Sequence, residues 1–237
     1  MKITKAQFNG PDGDDDVNFD FELSFENKTD HDIEFVKSTH LITNKDGAVV
    51  GGSYGDEDEI YIEPGSTEGF SIYSSYLKGE HFGGSLNGAT VTFDATFFRA
   101  EFHKLGEHNV PESSDKPVIV DNGFDIGDML KVFNTGIYLD RVDDEGEVGL
   151  EVRVGVRNVS DVHFDKVELK AELLDKRGSE VDDGSDYQTV GAYAGSILTA
   201  HFWGKKPSRL KGCTLKLSLS LYQPIAYGSE AAELKKG

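Results

Sequence analysis

Phe19-Asp20-Phe21-Glu22-Leu23-Ser24-Phe25-Glu26-Asn27-Lys28-Thr29-Asp30 sets how the rest of this chain is read. Apolar residues fall at every second position with acids or a hydroxyl between them, the period of a strand that buries one face. The run stops at Asn-x-Thr-Asp, residue types whose short side chains bond nearby backbone where a strand ends. The same sentence is written again 131 residues on: Val148, Leu150, Val152, Val154 and Val156 alternate with smaller or charged residues and stop at Asn158-Val159-Ser160-Asp161.

The recurrence extends in both directions. Asn44-Lys45-Asp46-Gly47 matches Asp175-Lys176-Arg177-Gly178 at the same offset, and Leu86-Asn87-Gly88-Ala89-Thr90-Val91 matches Leu210-Lys211-Gly212-Cys213-Thr214-Leu215. Anchors in one order with small drifts in spacing predict two copies of one unit, residues 1–104 and 129–230. Residues 105–128, with Pro111 and Pro117 among polar residues, read as a linker. Thr90–Phe97 and Thr214–Leu221 alternate like the opening run, and turn clusters such as Pro64-Gly65-Ser66 and Asn87-Gly88 separate the strands. The expected fold is therefore all-β, two tandem immunoglobulin-like antiparallel β-sandwiches related by internal duplication. The best helical candidate is the tail after Gly228.

The run from Phe21 to Ile33, then Lys45-Asp46-Gly47, then Ile62-x-Pro64-Gly65 and Phe70 resembles the bacterial immunoglobulin-like sandwich modules, and is similar to the stress-protein sandwiches of the water-stress and hypersensitive-response type. Copy two follows the pattern less faithfully, with Val190 in place of the proline. The resemblance implies a binding or accessory module, and a fold does not by itself name an activity.

Composition narrows the function classes. The chain of 237 residues carries 24 Lys and Arg against 43 Asp and Glu, a net charge of −19. An acidic surface argues against binding nucleic acid through its phosphates. The single cysteine, Cys213, rules out a disulfide framework, and its match with Ala89 predicts a small core residue. No apolar run reaches the length of a membrane helix, and Met1–Gln7 lacks the apolar stretch of a signal peptide, so a cytoplasmic location without membrane contact is expected.

Gly51-Gly52-Ser53-Tyr54-Gly55 fits the serine-hydrolase spelling, but that motif works on a tight strand-to-helix turn. Acids and a β-like run follow it here, so no enzyme is expected. Acidic loops hold Asp12, Asp14, Asp15 and Asp16, then Asp56 and Asp58, then Asp143 and Asp144. Calcium takes six to eight oxygen ligands, which makes these the metal candidates, although no EF-hand spacing is present. No other cofactor is expected. Asn27 and Asn158 begin formal glycosylation sequons, better explained by turn chemistry at the strand end.

Charge differs between the copies. Residues 1–104 sum to −12, residues 105–128 to −5 and residues 129–237 to −2. Lys205, Lys206, Arg209 and Lys211 form a basic loop in the second copy, beside Trp203, and these five are the candidate partner-binding residues. The implied function is a non-enzymatic protein-binding module, an acidic adaptor, inhibitor or immunity-type protein, with a basic protein or a second copy as partner. The alternative is a calcium- or small-ligand-binding accessory domain.

Overall fold

The computed structural model describes residues 1–10, 16–78, 86–120 and 123–237, the side chains at 16, 54–57, 72–78 and 124 excepted. Six strands open the chain: β1 (Lys2–Asn9), β2 (Asp16–Glu26), β3 (Ile33–Thr43), β4 (Val49–Ile62), β5 (Thr67–Lys78) and β6 (Thr90–Asn109). Two short strands follow, β7 (Val118–Val120) and β8 (Phe124–Ile126). Then come β9 (Leu130–Leu139), β10 (Val148–Asn158), β11 (Phe164–Leu174), β12 (Glu180–Val190), β13 (Gly195–Lys205), the one-turn helix α1 (Pro207–Leu210), β14 (Thr214–Glu233) and β15 (Lys235–Lys236). The protein is an all-β sandwich with several sheets. Among the described residues no helix is long and apolar enough to cross a membrane.

The chain forms two compact units. Unit 1 comprises Met1–Ala100 and Pro224–Gly237, and unit 2 comprises Glu101–Gln223. In unit 1 one layer is ordered β15-β1-β2-β5 and the other β4-β3-β6 with the end of β14 beside β6. In unit 2 one layer is β13-β10-β9-β7, with β8 also on β9, and the other is β12-β11-β14 with the end of β6 beside β14. The order β1-β2-β5 over β4-β3-β6 is thus the order β9-β10-β13 over β12-β11-β14. Neighbouring strands pair antiparallel, while β15 pairs parallel with β1, Gln7 facing Lys235 and Phe8 facing Lys236.

These boundaries differ from halves at 1–104 and 129–230. Residues 105–109 continue β6, and Val118–Val120 and Phe124–Ile126 pair with β9 instead of forming a linker. Ile126 and Val110 lie in the core of unit 2. The tail after Gly228 is strand, not helix, because its alternation places Leu234 in the core of unit 1.

Alternation dictates the cores. Phe19, Phe21, Leu23 and Phe25 are buried, and Phe21 meets the edge of Phe93 at 5.0 Å between ring centroids. Phe25 stacks on Phe97. Unit 2 fills the same positions with aliphatic residues: Leu150, Val152, Val154 and Val156 face Leu215, Leu217, Leu219 and Leu221 within one cluster. Cys213 is buried with them and donates its thiol hydrogen to the Arg209 carbonyl at 3.0 Å.

Both units tie their β2-type strand off with a fully buried asparagine. The Asn27 amide donates to the His31 and Ile62 carbonyls at 2.8 Å each, and its oxygen accepts from the Thr29 amide and hydroxyl at 3.0 and 2.7 Å. Asn158 does the same with Val162 and Gly191 at 2.6 and 3.0 Å and with both groups of Ser160. Each side chain joins three backbone segments, and the sequons are core fittings. In the turn that bonds this corner, Gly65 has φ 78° and the corresponding Tyr193 has φ 57°. Here an exposed tyrosine adopts a conformation that disfavours side chains.

Asn158→Ala would leave two carbonyls and an amide without their partner, so we expect a loss of about 3 kcal/mol in urea denaturation, and Asn27→Ala a similar loss. Tyr193→Gly relieves the left-handed backbone and should raise stability by up to about 1 kcal/mol in the same assay. Equal or lower stability would show that the turn carries no strain.

Candidate functional site

Three hairpins share one turn chemistry. Asn44, Asp143 and Asp175 each precede a glycine by three residues, with φ of 81° at Gly47, 73° at Gly146 and 77° at Gly178. The Asp143 carboxylate accepts from the Glu145 and Glu147 amides at 2.9 and 2.8 Å. Asp175 accepts from Arg177 and Ser179 at 2.7 and 3.0 Å. Asn44 accepts from Asp46 and Ala48 in the same way. One oxygen of Asp143 is therefore committed to its own turn, and Asp144 is exposed beside it. Asp58 is exposed on β4 with its backbone opposite Val36, and the Asp56 backbone lies opposite Ser38. The Asp16 backbone pairs with Lys78, while Asp12, Asp14 and Asp15 lie outside the described residues. Among the described residues no group of three or more His, Cys, Asp or Glu converges on a metal position. Gly51–Gly55 lies inside β4, with Ser53 opposite His40, and not on a strand-to-helix turn.

The basic loop divides. Lys205 pairs with Asp182 at 2.6 Å, and Lys206 pairs with Glu147 at 3.2 Å while donating to the Glu145 carbonyl. These two cations are held by neighbouring strands and turns. Arg209 and Lys211 are exposed at and just after α1, with no described carboxylate in ion-pair reach. Trp203 belongs to a different surface, the outward face of β7-β9-β10-β13.

That face is built by the strand period. Leu198, Ala200 and Phe202 of β13 point into the core, so Ile197, Thr199, His201 and Trp203 point out. On β10 the outward residues include Gly149, Glu151, Arg153 and Gly155, and on β9 they are Phe133, Gly136 and Tyr138. Ile119 of β7 lies opposite Gly136. Exposure is high at Trp203 (68%), Ile197 (60%), Ile119 (57%) and Phe133 (46%).

Glycines let aromatic rings lie against the sheet. A Cβ on Gly136 would fall 2.6 Å from the Tyr138 ring, and one on Gly155 would fall 2.6 Å from Phe133. Each ring fills the space that its neighbour leaves empty. One register row crosses the sheet, with Tyr138 opposite Glu151 and Glu151 opposite His201. Arg153 pairs with Glu151 and stands 5.1 Å from the Tyr138 ring centroid. His201 lies 3.7 Å from Glu151 and stacks on Trp203 at 5.1 Å and 9°. Tyr138, Arg153, Glu151, His201 and Trp203 thus form one connected set across the sheet.

Sequence reasoning placed Trp203 with the basic loop and did not single out Phe133, Tyr138, Arg153, Ile119 or Ile197, which share its face. The signal was present in Gly136, Gly149 and Gly155, all within strands, where glycine marks a close approach. On β1 and β2 the corresponding face of unit 1 carries Thr4, Lys5, Gln7, Asp20, Glu22 and Ser24, with Lys5 paired to Asp20.

No protein-family model matches the chain, and no curated protein matches it. Among solved structures it is similar to pT26-6p (5% identity, 98% of this chain and 66% of that one, TM-score 0.24). It is also similar to a glycosyl hydrolase family 2 member from Bacteroides cellulosilyticus (12%, 91% and 28%, TM-score 0.26) and to β-glucuronidase 2 from Bacteroides uniformis (10%, 91% and 26%, TM-score 0.30). The chain thus spans two thirds or less of the first and about a quarter of the others, and likeness at these scores says nothing of its activity.

The turn bonds hold the Asp175 carboxyl below the usual carboxylate range. A depressed folded value means stabilisation that is complete above the unfolded pKa and lost as pH falls through the folded one. Asp175→Asn keeps the turn, as Asn44 does in unit 1, and removes that acid-labile part. The stability gap between wild type and this variant should shift against the wild type as pH falls from about 6 to about 2. A gap that stays constant in urea titrations would deny the carboxylate this role.

Proposed function

We propose that the chain is a non-enzymatic, cytoplasmic protein-binding module of the bacterial immunoglobulin-like kind, made of two duplicated sandwich units. The observation that carries this reading is the outward face of β7-β9-β10-β13, where Trp203, Phe133, Tyr138 and Arg153 gather with Ile119 and Ile197. Tryptophan, tyrosine and arginine are the residues that dominate binding energy at protein interfaces. Here the exposed apolar residues are interleaved with Glu151, Arg153 and His201, a mixture of anchors and polar groups that suits a protein partner. Rings held against glycines lose little freedom on binding, which favours affinity.

The duplication is supported by the shared strand order and by the twin asparagine corners. The copies then divide the work. Unit 1 carries a net −12 and unit 2 a net −7, so unit 1 supplies the longer-range field that draws a basic partner and unit 2 the contact surface. The basic residues Arg209 and Lys211 lie away from that contact.

Phe133→Ala with Trp203→Ala should cut recovery of a specific partner from lysate by about tenfold or more, with the fold retained and melting lowered only by loss of the Phe133 contact on Gly155 and the Trp203 stack on His201. Raising salt should slow association with the wild type more than it hastens release. Equal recovery by wild type and variant, or no partner at either low or high salt, would refute the reading.

A further inference from the structure

Away from the outward face, at the α1 end of unit 2, the chain encloses a cleft of about 600 Å³. Its size is that of a small-molecule site. Val110, Leu139, Leu210 and Cys213 form an apolar floor, and Pro111 and Pro207 flank it. Val110, Leu210 and Cys213 are core residues, so the floor is rigid, and the Val110 amide donates to the Cys213 carbonyl at 3.2 Å. Burial pushes the Cys213 thiol up from its ordinary pKa, and the thiol is spent on the Arg209 carbonyl. It therefore acts as a neutral wall and not as a nucleophile.

The rim is cationic. Lys176 and Lys211 both line the cleft, opposed by one carboxylate, Glu112. Among the described residues neither lysine has a carboxylate within ion-pair distance. Asp175, adjacent in sequence to Lys176, accepts the amides of its own turn through one oxygen and is not among the lining residues, although its charge reaches the Cys213 thiol. The stem of Lys176 lies over Gly212, where a Cβ would fall 2.6 Å from the lysine Cε, and the exposed lysine lines the cleft.

Apolar side chains with two lysines against one glutamate leave one surplus cation among the lining residues, which suits one kind of molecule. We propose that this cleft binds an amphipathic organic monocarboxylate, its hydrocarbon part on Val110, Leu139, Leu210 and Cys213 and its carboxylate between Lys176 and Lys211. The inference is independent of the docking face on β7-β9-β10-β13.

Decanoate is the probe, followed by calorimetry on the full chain, with decanol and decylamine as uncharged and cationic controls. Decanoate should bind at or below about 1 mM and both controls at least about tenfold more weakly. Lys176→Gln with Lys211→Gln should weaken decanoate about tenfold or more, and Leu139→Trp, which fills the cleft, should abolish binding. The lysines are surface groups, so the first variant remains informative if the tryptophan variant fails to fold. Absence of heat with decanoate at about 1 mM, equal affinity for decanol, or undiminished binding by the lysine variant would each overturn the proposal.

Discussion

A sheet edge needs a neighbour, and unit 1 obtains one of its neighbours from the far end of the chain. Its layer β4-β3-β6 would stop at β6, leaving a row of backbone donors and acceptors open. The segment that lies beside β6 there begins at Pro224, after every residue of unit 2. That segment also carries Ile225 and Ala226 to the Phe25 and Phe97 cluster and Leu234 to the Phe19 and Phe21 cluster. The Leu234 amide donates to the Ala89 carbonyl at 2.8 Å, closing the end of the layer. Unit 2 is completed by the mirror arrangement, residues 101–109 of β6 lying beside β14. Two strands of 20 residues each therefore serve both units, and a cut in either would open an edge in each.

Given that frame, the two units spend the same positions differently. Both hold the strand order and the buried asparagine in common, and each asparagine satisfies backbone groups of neighbouring segments that would otherwise be buried short of a partner. The core changes from phenylalanine in unit 1 to leucine and valine in unit 2, which interior packing tolerates where total volume is kept. The outward face changes chemistry. Where unit 1 sets Lys5 opposite Glu22, unit 2 sets Gly136 opposite Arg153, and the vacated space takes the Tyr138 ring. At that register position an aromatic ring on glycine stands where unit 1 has an ion pair.

Much of this frame could be read from the residues. Phe19 to Asn27 and Val148 to Asn158 declare both strand and stopping point, because burial on one face enforces a period of two. The short β7 and β8 were hidden, since three residues such as Val118-Ile119-Val120 cannot establish a period and lie between prolines and acids. The division of β6 and β14 between units was hidden too, as alternation shows that a strand exists and not which neighbours it serves. Trp203 looked like a member of the basic loop because it precedes Lys205 by two residues. The pleat sends it to another surface.

The acidity of the chain also reads differently once the side chains are placed. Asp143 and Asp175 build turns, Asp182 holds Lys205, and Asp186 accepts from the Thr199 amide at 2.7 Å on the edge strand β13. Glu172 takes Lys216 at 2.7 Å, and Glu168 takes the Tyr222 hydroxyl at 2.9 Å. Such carboxylates close edges and hairpins, and in unit 1 Asp20 and Glu22 hold Lys5 in the same way. In unit 1 Asp58 and Glu68 stand exposed on strands. A hydrogen bond from a backbone amide leaves a carboxylate its charge, so the longer-range field follows net charge, −12 in unit 1 against −7 in unit 2, even though unit 2 holds 22 of the 43 acids. Counting charges along the sequence locates that surplus, and the hydrogen bonds say which of the acids also hold the fold together.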